Sequence, residues 1–522
     1  MSQQRLVFMR RASGLVRELT LTDVLVWSIA SPTASGLLYY QVATAAEYPG
    51  ASPILGFLIG GAILFPLVFA LATMMRVMPR AGGMYVCISR LVDPSVAYMT
   101  NTVYALGLGM TVGIMSWVGT GVLGSCAALA GHAGKVAGLV ATGEWLGQTT
   151  GRTIVSVALV ILFWLVSLIS LRAAKLLMRV GFVLPVAATV VLVVPGLVLN
   201  DARSAFERTW GQGVYQAVID AAKANGWSPP EFSWSSTVGF LLVVFWAYSA
   251  FEYIAAMAGE VKSPQRSMFQ GIIGGFLATL VLYVIVTWAA WHPFKAASFI
   301  PAYVFLYDNH PDVLKSIMPL SRPSVPLFLG SLLPSPWLAV LVMLLSSLWF
   351  YNTALPSLVA GARVLFAMSF DRQLPKSFAA VNKRGVPTTS THVMCVIGIL
   401  TVFLNLLGIQ VLLGMADIAA YFPFWAFGLS AVMLPYKRPD IYSLSPVQGE
   451  FLGVPVISWL GALATALGWF LVAFAISPLG TAAQVIFCAA VLIMTAVYIW
   501  AQQRNVKEGV DVSAIYAEIP PE

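Results

Sequence analysis

Twelve mostly apolar stretches, each roughly as long as the ~20 residues an α-helix needs to cross a bilayer core, follow one another along the chain with polar connections between them. In lipid every backbone N–H and C=O must be satisfied inside its own segment, so such a chain folds as an all-α polytopic membrane protein. The spans fall near residues 20–46, 52–77, 96–130, 153–171, 174–199, 236–259, 268–291, 335–369, 389–408, 410–434, 455–476 and 480–502.

The charges lie between the spans. Of the 29 Lys and Arg residues, 21 fall on the tails and connections that share a side with the N-terminus, including Arg172, Lys175, Arg179, Arg363 and Arg372. By the positive-inside rule this predicts a multi-pass protein of the cell membrane with both termini cytoplasmic. The net charge of +8 is therefore a topology signal, and the bilayer rather than nucleic acid is the expected partner. The connections 200–235 and 292–334 lie outside and read as an external cap or vestibule, or else as plain loops. No G-x-x-x-x-G-K-[ST] loop occurs. Cys87, Cys126, Cys395 and Cys488 have no metal-ligand spacing, and the four histidines are dispersed, so no cofactor is expected beyond a coupling ion, proton or sodium.

Two spans are poor plain helices, and they stand five spans apart. Span 1 carries "WSIASPTASGLLYY", in which Pro32 lacks an amide hydrogen and Gly36 releases the backbone. Span 6 carries "FWAYSAFEYIAAMAGE", interrupted by Tyr248, Ser249 and Glu252. Freed backbone groups at membrane depth survive only where protein buries them or a cavity wets them. Paired discontinuous helices are the sequence mark of a secondary transporter's site, where half-helix ends meet the charges of a zwitterion.

Three segments resemble the amino acid–polyamine–organocation permeases. "MPRAGGMYVCISR" after span 2 is similar to their P-R-[SA]-G-G-x-Y signature, "FWAYSAFEYIAAMAGEVKSPQRSM" to their sixth span, and "ARVLFAMSFDRQLPKSFAAVNKRGVP" to the segment after their eighth. The resemblance implies a leucine-transporter-like fold: a 5+5 inverted repeat with broken helices 1 and 6, plus two C-terminal helices. It divides the chain into a tail (1–19), a first repeat (20–199), an extracellular loop (200–235), a second repeat (236–434, with the loop 292–334), helices 11 and 12 (435–502) and a tail (503–522). Carried onto this sequence, backbone N–H groups of Thr33, Ala34, Ser35 and Gly36 hold a substrate carboxylate. Carbonyls of Trp246, Ala247, Tyr248 and Ser249 take its amino group, and Trp246 is the aromatic lid, with Phe245 as the alternative. Pro32 and Ala34 replace glycines usual in relatives, and the lysine that some proton-coupled relatives place in span 5 is missing from 180–191.

The function implied is a secondary active transporter for amino acids or related amines, working as symporter or exchanger. The rival classes are a membrane-embedded enzyme and a nontransporting receptor; an intramembrane enzyme needs a convergent catalytic cluster that the spacing does not supply. Glu252, whose charged form is costly inside a span, is assigned to a proton-linked gate, with a hydrogen-bonding strut as the alternative. Asn352 and Thr353 are candidate sodium ligands, or else bond between helices. Asp417 is expected to be buried against a hydroxyl or open to the vestibule rather than to act in transport. The "PRAGG" turn belongs to a cytoplasmic gate, while Lys262, Arg266, Arg363 and Arg372 read as inner-leaflet anchors, with a gate pair of Arg363 and Asp371 as the alternative. With neither a carboxylate-binding arginine nor an acid pair for a basic substrate in the expected pocket, selectivity leans to neutral amino acids, set around Trp246, Ser116, Trp117 and Asn352. The sequence fixes no oligomeric state.

Overall fold

The computed structural model describes residues 14–32, 36–445, 447–509 and 515–516. The twelve predicted spans correspond to α1 (Leu21–Ala30), α2 (Pro53–Val77), α3 (Pro94–Gly134), α4 (Thr149–Ile169), α5 (Leu171–Val198), α6 (Trp234–Tyr248), α7 (Pro264–Trp291), α8 (Pro336–Phe370), α9 (Thr388–Leu404), α10 (Ile409–Lys437), α11 (Val456–Ile476) and α12 (Gly480–Lys507). Nine helical segments among the described residues are long and apolar enough to cross a membrane; α1 and α9 are shorter, and α12 is not one of the nine. The molecule is therefore a helical, multi-pass membrane protein.

Proline and a capping residue set several of these starts. Ser52 precedes Pro53, Asp93 precedes Pro94 and Ser335 precedes Pro336, and each capping oxygen accepts an orphan amide of the first turn. Proline costs nothing there, since its missing N–H would have had no intrahelical partner. The 41-residue α3 is the central strut, packed on α4, α8, α9 and α10. α4 and α5 turn Ile161, Leu162, Leu165, Leu176 and Val183 outward, an apolar face that suits lipid and not water. α10 and α11 cross closely: a Cβ on Gly468 would lie 2.3 Å from the Trp425 nitrogen.

The two long connections are not plain loops. Residues 200–235 fold into Arg203–Trp210 and Val214–Ala224, and residues 292–334 contain Phe299–Asn309, Pro311–Ile317 and Val325–Gly330. Phe206, Tyr215, Phe294 and Phe299 bind the two together, with Tyr215 stacked on Phe299 at 4.1 Å. Their aromatic residues thus form a small core, a job that prolines and scattered acids disguise in the sequence. This cap lies on one face of the bundle. The described parts of both termini lie on the other, where Leu19 bridges to Val261 and Tyr516 bonds to Gln373.

Candidate functional site

Both predicted breaks are present, and side chains from other helices hold them open. α1 ends at Ala30, and the chain resumes as a wide π turn, Gly36–Tyr40. The Ser31 carbonyl accepts a 2.6 Å bond from Thr353 Oγ1 of α8. α6 ends at Tyr248, Ala250 takes a left-handed conformation (φ 78°), and the segment continues as the short 3-10 turns Tyr253–Ala256 and Ala258–Glu260. A non-glycine residue held left-handed costs roughly 1–2 kcal/mol, which the surrounding packing must offset.

A residue that sequence reasoning missed joins the two breaks. The Tyr283 hydroxyl of α7 lies 3.0 Å from the Pro32 carbonyl and 2.5 Å from the Ala247 carbonyl. A phenol carries one proton, so only one of these acceptors is served at a time. A lone buried tyrosine in an apolar span carries no sequence signal; only the fold brings it between residues that are 251 and 36 positions away.

Between the breaks lies a cavity of about 30 Å³. Ser31, Pro32, Trp246 and Ser249 line it from the broken helices, Thr353 from α8 and Asp417 from α10, with Thr111 and Met115 of α3 opposite. Oxygen-rich walls on an otherwise apolar bundle make it a place for a small polar or charged group.

The predicted site residues separate into groups. Thr33, Ala34 and Ser35 lie outside the described residues, and Gly36 opens the π turn. Trp246 and Ser249 line the cavity, and the Ser249 amide and hydroxyl both donate to the Trp246 carbonyl, at 3.1 and 2.7 Å. Phe245 faces a different chamber, while Trp246 lines the cavity together with a second aromatic residue, Tyr253. Ala247 and Tyr248 are buried off the cavity; the Tyr248 hydroxyl donates to the Phe57 carbonyl at 3.1 Å. Glu252 is buried one layer behind, where Tyr104 donates to one carboxylate oxygen at 3.3 Å and the other oxygen has no hydrogen-bond partner among the described residues. Asn352 donates to the Gly181 carbonyl at 2.8 Å, tying α8 to α5 away from the cavity, whereas Thr353 beside it reaches the cavity. Ser116 bonds back to Val112, and Trp117 lies under the Arg152 guanidinium, so α3 meets the cavity through Thr111, Ile114 and Met115 instead.

One expectation is corrected. Arg363 does not pair with Asp371. It makes a two-pronged bond to Glu260, at 2.8 and 3.1 Å, while Asp371 pairs with Arg90 at 2.8 Å and accepts from Tyr85. The partners are distant in sequence, so local spacing favoured the wrong neighbour. α10 turns a single acid, Asp417, into the cavity.

Toward the terminal face the cavity is sealed by charge and backbone. Besides those two pairs, Asp23 of α1 accepts from Arg179 of α5 at 2.7 Å, and Leu19 exchanges backbone bonds with Glu260 and Lys262. The "PRAGG" turn closes on the segment after the span-6 break: Gly82 N–H donates to the Ala256 carbonyl at 2.9 Å. A Cβ on Gly83, itself at φ 49°, would stand 2.6 Å from the Ala255 oxygen, so glycine is needed for both conformation and space. Toward the cap the covering is aromatic. Trp246 meets Tyr40 edge-on at 4.7 Å, and the Arg322 guanidinium sits 5.8 Å from the Tyr40 ring centre.

The sequence profile of the family described as amino acid permease matches residues 23–512. The branched-chain amino acid permease BcaP of Lactococcus lactis subsp. cremoris (strain MG1363) is 25% identical over 498 residues, 88% of this chain and 93% of that protein. The vacuolar cationic amino acid transporter 2 of Arabidopsis thaliana is 25% identical over 446 residues, 82% of this chain and 61% of that protein. The D-serine/D-alanine/glycine transporter of Escherichia coli (strain K12) is 21% identical over 446 residues, 83% of each chain.

Proposed function

The chain belongs to the amino acid permease family, and from that premise we propose that it moves amino acids or related amines across the cell membrane by alternating access, as a secondary active symporter or exchanger. The observation that carries this reading is the cavity at the meeting of two broken helices, whose freed carbonyls are held by Thr353 and Tyr283. In this reading α1–α5 and α6–α10 are the two inverted repeats, α11 and α12 complete twelve spans, and both termini face the cytoplasm.

The terminal-face ion pairs then form the cytoplasmic gate, and the Trp246–Tyr40–Arg322 stack the external one. The carboxylate goes to the N–H groups of the 33–36 loop. Trp246 closes over the ligand, and Ser249 and Thr353 supply oxygens beside it. Glu252, behind the cavity, is the group for proton linkage; Asn352 with Thr353 is the pair for sodium. The names of the relatives favour an amino acid cargo and span branched-chain, cationic and small substrates, so the class must come from the site itself.

Counterflow of labelled amino acids in proteoliposomes tests the proposal. Exchange against internal unlabelled substrate is expected. An enzyme or a receptor gives none, and a broad amino acid and amine panel with neither exchange nor thermal stabilisation overturns the reading.

A further inference from the structure

We infer that Asp417 receives the ammonium group of the substrate and that a chamber behind it takes an apolar side chain, so the cargo is a monoamino compound with a branched or aromatic hydrocarbon rather than a dibasic one. The inference rests on the transporter reading above and specifies its substrate class.

Asp417 is the shared wall of two cavities. On one side is the cavity of about 30 Å³ between the broken helices, and on the other a chamber of about 250 Å³ between α6, α10 and α11. Among the described residues, Asp417 is the one that lines both, and no Lys or Arg lines either. Tyr253 and Tyr421 stand within electrostatic reach of it, with Glu252 beyond them, and it has no ion-pair or hydrogen-bond partner among the described residues. A carboxylate set in an apolar bundle without a cation is costly unless a ligand brings one.

Two backbone acceptors at the amine end are already engaged. The Trp246 carbonyl takes both donors of Ser249, and the Ala247 carbonyl faces Tyr283 on the side away from the cavity. Among the described residues lining the space, Ser31 Oγ also stands without a partner, but Asp417 is the one acceptor with a formal charge.

Size decides the rest. The central cavity has room for about two waters, enough for a head group and not for a leucine side chain. The chamber beyond Asp417 has the missing volume. Its wall is hydrocarbon and aromatic, from Phe245, Leu471, Phe474, Ala475 and Leu479, and its polar groups are Asp417 itself and Tyr421. A second ammonium there would lose its hydration with no second carboxylate to meet it, which is what excludes lysine-like substrates.

The test uses the full chain in proteoliposomes, with labelled leucine, phenylalanine, lysine and glycine, and 4-methylpentanoate as the deaminated competitor. Wild type is expected to exchange leucine and phenylalanine well above lysine. Asp417→Asn should raise the apparent KM for leucine about tenfold or more, the loss of one charge-assisted hydrogen bond, while competition by 4-methylpentanoate stays unchanged and Asp417→Glu recovers part of the loss. Ala475→Phe, which fills the chamber and leaves the carboxylate alone, should depress phenylalanine exchange and spare glycine. Lysine exchange above leucine, an unchanged leucine KM in Asp417→Asn, or equal loss of glycine and phenylalanine in Ala475→Phe overturns the inference. Absence of exchange for every amino acid in the wild type sinks the transporter reading beneath it.

Discussion

The two sides of the central cavity are closed by different chemistry. On the terminal side Arg363–Glu260, Arg90–Asp371 and Arg179–Asp23 are joined by backbone bonds from Leu19 and Gly82. On the cap side two aromatic rings and a guanidinium overlap. Buried ion pairs are brittle: separating the partners leaves each charge stranded unless water or a new partner arrives together with the break. Ring contacts slide, losing a little area at each step. In the alternating-access reading proposed above, the terminal side opens as a unit and the cap side by degrees.

The sharpest way to break this contrast is Arg363→Met, which strands Glu260 in a site where both side chains are 1–2% exposed. A loss of about 3–5 kcal/mol is expected, read as a fall in thermal midpoint in detergent, with most of it recovered in the Arg363→Met/Glu260→Leu double variant. A single variant as stable as wild type would mean that the terminal side is not held by charge.

Glu252 belongs to neither closure, since it sits behind the cavity on Tyr104. Glu252→Gln should abolish the pH dependence of uptake while leaving uptake at a single favourable pH measurable; unchanged pH dependence removes it from proton linkage. Tyr40→Ala tests the cap side. Loss of the edge-on contact with Trp246, about 0.5–1.5 kcal/mol, should alter uptake KM severalfold with little change in thermal midpoint, the reverse of the Arg363 result.

The smallest effect concerns the cap itself. Burial, and then the nearby Glu47 charge, raise the Asp308 carboxyl above its usual range, with Arg322 opposing. The unfolded chain releases that proton first, so stability is lost as pH rises from the unfolded toward the folded value. Asp308→Asn should slightly raise the thermal midpoint near neutrality and have no effect in acid below both values.

Much of the architecture was legible because lipid enforces it. A span must be long and apolar, so all twelve predicted stretches have helical counterparts, and Pro32 and the "AYSAFE" stretch betrayed the breaks because they are expensive as uninterrupted helix. Relations across the bundle were not legible. Arg363 and Glu260 are 103 positions apart, and nothing local chooses Glu260 over Asp371. Asp417 was visible as an intramembrane acid, but hydropathy gives depth and not rotation, and rotation is what turns it into the cavity. The expected leaning to neutral substrates rested on a pocket without a carboxylate-binding arginine or an acid pair; the inferred role of Asp417 keeps that leaning, because one acid meets the ammonium every amino acid has and the chamber offers nothing to a second one. The helices of the two outer connections were hidden because their apolar residues pack against each other, with no membrane to impose a length.

Tyr283 has one proton and two carbonyls within reach, one on each broken helix. A donor shared in this way is a two-position toggle: whichever oxygen it leaves is free for water or a ligand, and whichever it holds is pinned. The two broken helices therefore keep each other's books through a single hydrogen, and Tyr283→Phe is the change that would let one of them move without informing the other, a permease that still binds but leaks.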